Sequence, residues 1–132
     1  MKVAVFLMAD MGRFCVLRSK QDGRLTLPNE SSTDPHNEFY SLLILFLAGY
    51  GWKRNEIVSL GPDRHRFVTE DFYFFVEGAR GGIAPGGWTM EWVYLKQIKE
   101  WLREGRFENP DQVDRALSLF ERYYRSLLAD PC

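Results

Sequence analysis

The segment that most constrains the fold of this chain is residues 39–47, which read Phe-Tyr-Ser-Leu-Leu-Ile-Leu-Phe-Leu. Asp34 is a suitable N-cap and Pro35 a suitable first helical residue, so the sequence predicts a helix from about Pro35 to about Ala48. This helix would be apolar around nearly its whole circumference. A helix of that kind must be buried on all sides or pressed against a partner, so the rest of the chain has to cover it.

Short β-branched and aromatic segments predict a sheet around this helix. Residues 2–8 and 13–18 are predicted strands joined by a turn at 10–12, and residues 25–27 follow a second turn at 21–23. Residues 57–60 and 66–68 are predicted as two short strands broken by Gly61-Pro62-Asp63. In residues 72–77, Phe72, Phe74 and Val76 alternate with Tyr73 and Phe75. Both faces of that strand are apolar, which predicts a central strand covered on both sides.

Two further helices are predicted after a glycine-rich loop at residues 78–87. The first runs from about Lys96 to Glu104 and ends at Gly105, and the second runs from Pro110, capped by Asn109, to about Leu128. The second helix carries apolar residues at helical spacing, which predicts one core-facing stripe: Val113, Ala116, Leu117, Phe120, Tyr124 and Leu127.

Composition predicts one domain spanning residues 1–132 that can bury a real core, since 45% of residues are hydrophobic. The formal net charge of −1 gives no electrostatic reason to expect a nucleic-acid or membrane partner. The apolar run after Lys2 stops at Asp10 without a cleavage site, so we interpret it as a strand and not as a signal peptide. Two cysteines, Cys15 and Cys132, do not form a disulfide framework, and we expect a cytoplasmic protein.

Residues 27–52 resemble a Nudix box, the loop–helix–loop with which Nudix hydrolases hold Mg²⁺ against a diphosphate. Leu27 and Pro28 match the start of the family pattern, and Gly51 and Trp52 match its closing Gly-apolar pair. The metal-binding positions have changed. Five residues occupy degenerate positions of the box: Glu30 in place of Gly, His36 in place of the first Glu, Leu45 in place of the Glu of Arg-Glu, and Ala48 and Gly49 in place of the Glu-Glu pair.

These replacements remove the oxygen ligands that a hard cation needs. Positions 45, 48 and 49 share one helical face, which in the family presents carboxylates to Mg²⁺. Leu45, Ala48 and Gly49 offer no side-chain oxygen. His36 could bind a softer metal such as Zn²⁺, but a single His beside a helix start is more often a surface or capping residue. We therefore expect no catalytic residues, no bound metal and no cofactor.

The resemblance covers about residues 2–128 and implies an α/β fold, a Nudix-like α/β/α sandwich with a mixed sheet. The function we expect is binding or assembly in place of diphosphate hydrolysis, with a homodimer or a protein partner on the apolar helix. One alternative is a divergent pyrophosphohydrolase that cleaves a nucleoside diphosphate derivative with Mg²⁺ held outside the usual box. Its candidate carboxylates are Glu30, Asp34, Glu38, Glu77 and Glu91.

A second alternative is a non-catalytic sensor in which the family's cleft still recognises a nucleotide, sugar or other small molecule. Aromatic residues suit stacking on a base, although they also pack in cores and rims. Six residues are candidates for binding such a ligand: Arg18, Tyr73, Arg80, Trp88, Glu91 and Trp92. The Gly-rich segment at 78–82 lacks the ending of a phosphate-binding loop, and we interpret it as a connection between strands.

Restoring the family's glutamate tests whether the apolar helix is covered. If it is, Leu45→Glu should lower the stability of the fold or its assembly by several kcal/mol, because an unpaired buried carboxylate is costly. Thermal melting and sedimentation of wild type and variant would measure this. An unchanged melting temperature, together with a wild type that stays monomeric at high concentration, would show an open cleft instead.

Overall fold

The computed structural model describes residues 2–32, 56–64, 70–77 and 84–129 of the chain. The predicted helix at 35–48 and the predicted strand at 66–68 lie outside these residues. His36, Leu45, Ala48, Gly49 and Arg80 lie outside them as well. Seven strands and two helices are described: β1 (Lys2–Asp10), β2 (Arg13–Ser19), β3 (Leu25–Thr26), β4 (Asn29–Ser32), β5 (Glu56–Arg64), β6 (Glu70–Glu77), β7 (Trp88–Tyr94), α1 (Leu95–Arg103) and α2 (Pro110–Ala129).

The strands form one mixed sheet, as predicted. Its order is β3-β2-β1-β6-β5, with β4 also paired to β1 and β7 to β2. β1 and β6 are parallel over their length, and the other described strand pairs are antiparallel. With helices packed on it, the sheet confirms the predicted α/β fold class.

β1 and β2 pair only beside their turn, and the chain that follows fills the gap between them. Their register joins Ala9 to Phe14 and Asp10 to Arg13, after which the two strands separate. β3 then pairs with the end of β2, and β4 pairs with the start of β1. Between them the Phe6 amide donates to the Pro28 carbonyl at 2.8 Å. Residues 25–32 therefore act as a wedge, whose second strand, β4, the sequence did not predict.

Alternation along the strands divides the core into two faces. The first face carries Val3, Val5, Leu7 and Ala9 of β1, and the buried residues of α1 and α2 pack on it. The second face carries Ala4, Phe6 and Met8, with Cys15 and Leu17 of β2. In β6, Tyr73 and Phe75 lie on the first face and Phe74 and Val76 on the second. This confirms β6 as a strand buried on both sides.

The predicted break at Gly61-Pro62-Asp63 is wrong, because β5 continues through it from Glu56 to Arg64. β5 lies at the end of the strand order, where a proline need not donate to a further strand. A register shift between Ser59 and Gly61 accommodates the irregular residues as a bulge.

The two C-terminal helices are confirmed, but the predicted core stripe of α2 ends early. Val113, Ala116, Leu117 and Phe120 are buried, whereas Tyr124 is 52% and Leu127 54% exposed. Phe120 contacts Phe14, next to the β1–β2 turn, so it already lies above the rim of the sheet. One and two turns further on, Tyr124 and Leu127 extend past that rim. Neither described helix is long and apolar enough to cross a membrane.

Removing the apolar side chain that anchors the wedge should destabilise the whole fold. Leu25 is fully buried, and its backbone bonds to Arg106 and Glu108 as well as to β2. We expect Leu25→Ala to lower the free energy of unfolding by about 2–5 kcal/mol, measured by urea denaturation. The same truncation at Leu128, which is 71% exposed, should cost less than about 0.5 kcal/mol. Equal losses of unfolding free energy in both variants would contradict the conclusion that residues 25–32 support the whole fold.

Candidate functional site

The structure divides the predicted binding residues between the two faces of the sheet. Arg18 and Glu91 lie together on the first face, because Glu91 pairs with Val16 and Arg18 follows two residues later. Tyr73 is on that face too, but it is 1% exposed and lies within the core. Trp88 and Trp92 pack on the second face. The structure therefore does not place Tyr73 in one cleft with the two tryptophans.

Arg18 and Glu91 form a half-buried ion pair. The Arg18 Nε donates to Glu91 Oε2 at 2.5 Å, and a terminal nitrogen lies 3.5 Å from Oε1. The Arg18 guanidinium carbon also lies 5.4 Å from the ring centroid of Trp101 in α1. Its remaining terminal nitrogen lies 3.5 Å from the Gly23 carbonyl oxygen. One arginine thus joins β2, β7, α1 and the turn before β3.

The contacts of Arg18 and Glu91 support a structural role, in which the pair holds the sheet to α1, and not a catalytic one. The side chains of Arg18 and Glu91 are 32% and 35% exposed, and pairs this exposed contribute at most about 1 kcal/mol. A carboxylate already bonded to a guanidinium has fewer lone pairs available for a metal. Sequence reasoning missed Trp101 because its contact with Arg18 depends on the packing of α1 beside β7, the neighbour of β2, which no local pattern encodes.

An aromatic strip runs along the second face of β7. Trp88, Met90 and Trp92 alternate with the first-face residues and are half-buried against Leu17 and Cys15. Burial raises the pKa of the Cys15 thiol to about 12, so this cysteine is a packing residue and not a nucleophile. The strip offers ring faces and a thioether, which suit stacking on a planar group.

Glu30 is the one degenerate box position within the described residues. It lies on β4 opposite Ala4, which places it on the second face. Burial raises the pKa of its carboxyl above the ordinary value of 4.5, since desolvation disfavours the charged form.

The carboxylates of the divergent-hydrolase alternative are dispersed where the structure describes them. Glu30 lies on the second face, while Glu77, opposite Ala9, and Glu91 lie on the first. Glu77 and Glu91 belong to strands separated by β1 and β2, which is about 14 Å at the usual strand spacing. Across residues 2–32, 56–64, 70–77 and 84–129 no three His, Cys, Asp or Glu side chains form a group that could hold a metal ion. Asp34 and Glu38 lie outside these ranges.

Solved structures identify the fold. No protein-family model and no curated protein sequence matches the chain. The NUDIX domain of Shewanella oneidensis NrtR, solved with ADP ribose, superimposes with a TM-score of 0.56 at 8% identity and covers 76% of each chain. The chain has the Nudix fold. An ADP compounds hydrolase agrees with it at a TM-score of 0.70 and 13% identity, over 96% of this chain and 74% of that one.

A third structure places the same fold in a protein complex. The C-terminal domain of mouse MUTYH, solved with human PCNA, matches at a TM-score of 0.65 and 11% identity. The match covers 94% of this chain and 89% of that domain. At these identities the likeness establishes the Nudix fold alone, and it confirms what the resemblance of residues 27–52 predicted about the architecture.

The raised pKa of Glu30 predicts a specific pH dependence of stability. A carboxyl whose folded pKa lies above its unfolded value destabilises the fold when ionised, and this cost disappears as the pH falls below 4.5. Glu30→Gln should therefore raise the melting temperature at pH 7, and the difference from wild type should vanish at acidic pH. Asp22→Asn is the matched control, because hydrogen bonds lower the pKa of Asp22 and its loss should destabilise at pH 7. A Glu30→Gln variant that melts below the wild type at neutral pH would contradict the conclusion that ionised Glu30 destabilises the fold.

Proposed function

We propose that this chain is a Nudix-fold protein that acts by binding or assembly and does not hydrolyse diphosphates. The observation that carries the proposal is the placement of Glu91. Glu91 is a candidate metal ligand of the divergent hydrolase. It lies on the first face of the sheet, where its carboxylate already accepts hydrogen bonds from Arg18.

The remaining described carboxylates support the same proposal. Mg²⁺ binds its oxygen ligands at about 2.0–2.1 Å, so the carboxylates of one site have to converge within a few ångströms. Glu30 and Glu91 are on opposite faces, and Glu77 is three strands from Glu91. No single ion can be shared by these three side chains.

The sequence of the box adds an independent reason. His36, Leu45, Ala48 and Gly49 replace the acidic residues of the family pattern, so the helix that normally carries the ligands offers none. An apolar sequence in the predicted box helix would replace the anion site of the family pattern with a surface that needs an apolar cover. We propose that a second copy of the chain or another protein supplies this cover, in a cytoplasmic setting. The C-terminal domain of mouse MUTYH, which matches this chain in fold, was solved in a complex with human PCNA, which supports the proposal of a protein partner.

A sensor of small molecules is the second candidate, and the aromatic strip favours it. Trp88, Met90 and Trp92 present half-buried apolar surfaces on the second face, and the related fold of NrtR was solved with ADP ribose. A thermal-shift screen against nucleotides and nucleotide sugars separates this candidate from an assembly module. A divergent hydrolase is the third candidate, since the ADP compounds hydrolase has the same fold.

The proposal predicts that purified protein will not hydrolyse nucleoside diphosphate derivatives above background with Mg²⁺ or Mn²⁺. Release of phosphate or nucleoside monophosphate is the assay, and calorimetric titration of both metals is the parallel measurement. An active Nudix enzyme run under the same conditions controls for substrate quality.

Metal-dependent turnover that co-purifies with the protein and is lost in Glu30→Gln would overturn the proposal in favour of the divergent hydrolase. The Glu91→Gln variant would show whether the residue paired to Arg18 contributes. Tight binding of a nucleotide without turnover would favour the sensor.

A further inference from the structure

Five large apolar side chains are exposed in the described part of the chain, and all of them lie at one end of the sheet. They are Met11 (86% exposed), Tyr94 (60%), Tyr124 (52%), Leu127 (54%) and Leu128 (71%). Met11 is in the β1–β2 turn, and Tyr94 pairs with Arg13 at the start of β2. The other three are in the last turns of α2, which extend past the same rim. We call this region the hairpin-end surface.

A groove of about 460 Å³ opens between the end of α2 and the hairpin. Its floor is apolar, formed by Ala9, Phe14, Phe75 and Phe120. The rings of Phe75 and Phe120 lie 4.9 Å apart, and Phe120 stacks on Tyr124 at 6.1 Å. Tyr124 and Leu127 also line the groove, so two of the exposed residues of α2 form part of its wall. An apolar protrusion and an apolar recess of similar character are therefore adjacent on one surface.

The charges around this surface are of both signs. Glu77, Glu121 and Arg125 border the groove, and Asp10 and Arg13 lie on the other side of the hairpin. Glu121 is bonded to Lys99 of α1 at 2.6 Å, which offsets its charge. A strongly charged partner would gain little from such a mixture, whereas a copy of the same surface carries the same balance of signs and approaches without strong net repulsion.

We propose that the hairpin-end surface joins two copies of this chain around a two-fold axis. In an isologous interface both subunits use the same patch. The protrusion of each copy therefore enters the recess of the other, and one contact fills both recesses. Tyr124, Leu127 and Leu128 of each copy enter the groove of the other. This contact buries apolar surface that a monomer leaves in water, which is the main driving force for association.

This inference rests on the assembly part of the proposed function, but it uses a different surface from the apolar helix of the box. Every residue of the hairpin-end surface lies outside residues 33–55. A charge at Leu45 and a charge at Leu127 therefore test two separate contacts, and the hydrolysis assay tests neither of them.

Sedimentation velocity over a concentration series up to about 1 mM tests the inference, because that range reaches weak specific association. Wild type should form a dimer, and Leu127→Glu should weaken it by more than about tenfold, since the new charge loses its water in the contact. Ser118→Glu is the matched control on the same helix. Ser118 is exposed and borders a basic stretch of α1 that includes Lys96, Lys99 and Arg103, so its new charge should leave the dimer unchanged.

Concentration-dependent NMR shifts locate the contact directly. The inference expects them in residues 9–14 and 120–128 of wild type, with circular dichroism showing that Leu127→Glu keeps its fold. A wild type that stays monomeric throughout the series would overturn the pairing of copies. A dimer that survives Leu127→Glu and is lost in Leu45→Glu would overturn the hairpin-end contact while leaving assembly intact.

Discussion

The register of β1 determines where every described candidate carboxylate lies. Its side chains from Val3 to Ala9 are no more than 7% exposed, and it pairs with β6 on one edge and with β4 and β2 on the other. A slip of one residue in its pairing would move every side chain of β1 to the opposite face. Both faces are packed in the core, so the register is fixed. Because Ala4 and Ala9 face opposite ways, Glu30 and Glu77 do as well. β2 pairs with both β1 and β7, and Val16 of β2 lies on the first face. Glu91 pairs with Val16 and therefore lies on the first face too.

Elements with a strong local pattern could be predicted from the sequence. The double-sided alternation of Tyr73 to Val76 identified the central strand, and Pro110 and Gly105 marked helix boundaries. β4 was missed because Asn29–Ser32 has no apolar alternation. It is a strand only because β1 and β2 separate and leave an edge to pair with.

Long-range geometry explains why the candidate site was only partly predictable. Tyr73, Trp88 and Trp92 have the same aromatic chemistry, and a sequence gives no direct indication of which face of a distant strand each one will share. The structure separates Tyr73 from the tryptophans by the thickness of the sheet. Arg18 and Glu91 were both named as candidates, but their pairing and the stacking on Trp101 depend on the alignment of β2 with β7 and α1. The result is a pair that stabilises the scaffold on the face away from the aromatic strip.

The exposed end of α2 shows how one sequence pattern can serve two purposes. The spacing from Val113 to Leu127 is uniform, because a helix that covers a core and a helix that covers a partner need the same apolar stripe. What differs is the surface beneath: Phe120 lies over Phe14 and Phe75, whereas Tyr124 and Leu127 border an open groove. An apolar stripe continued for two turns past the rim costs solubility and adds little to the fold of one copy. A second copy that completes the packing begun by the sheet would give these exposed side chains an apolar cover.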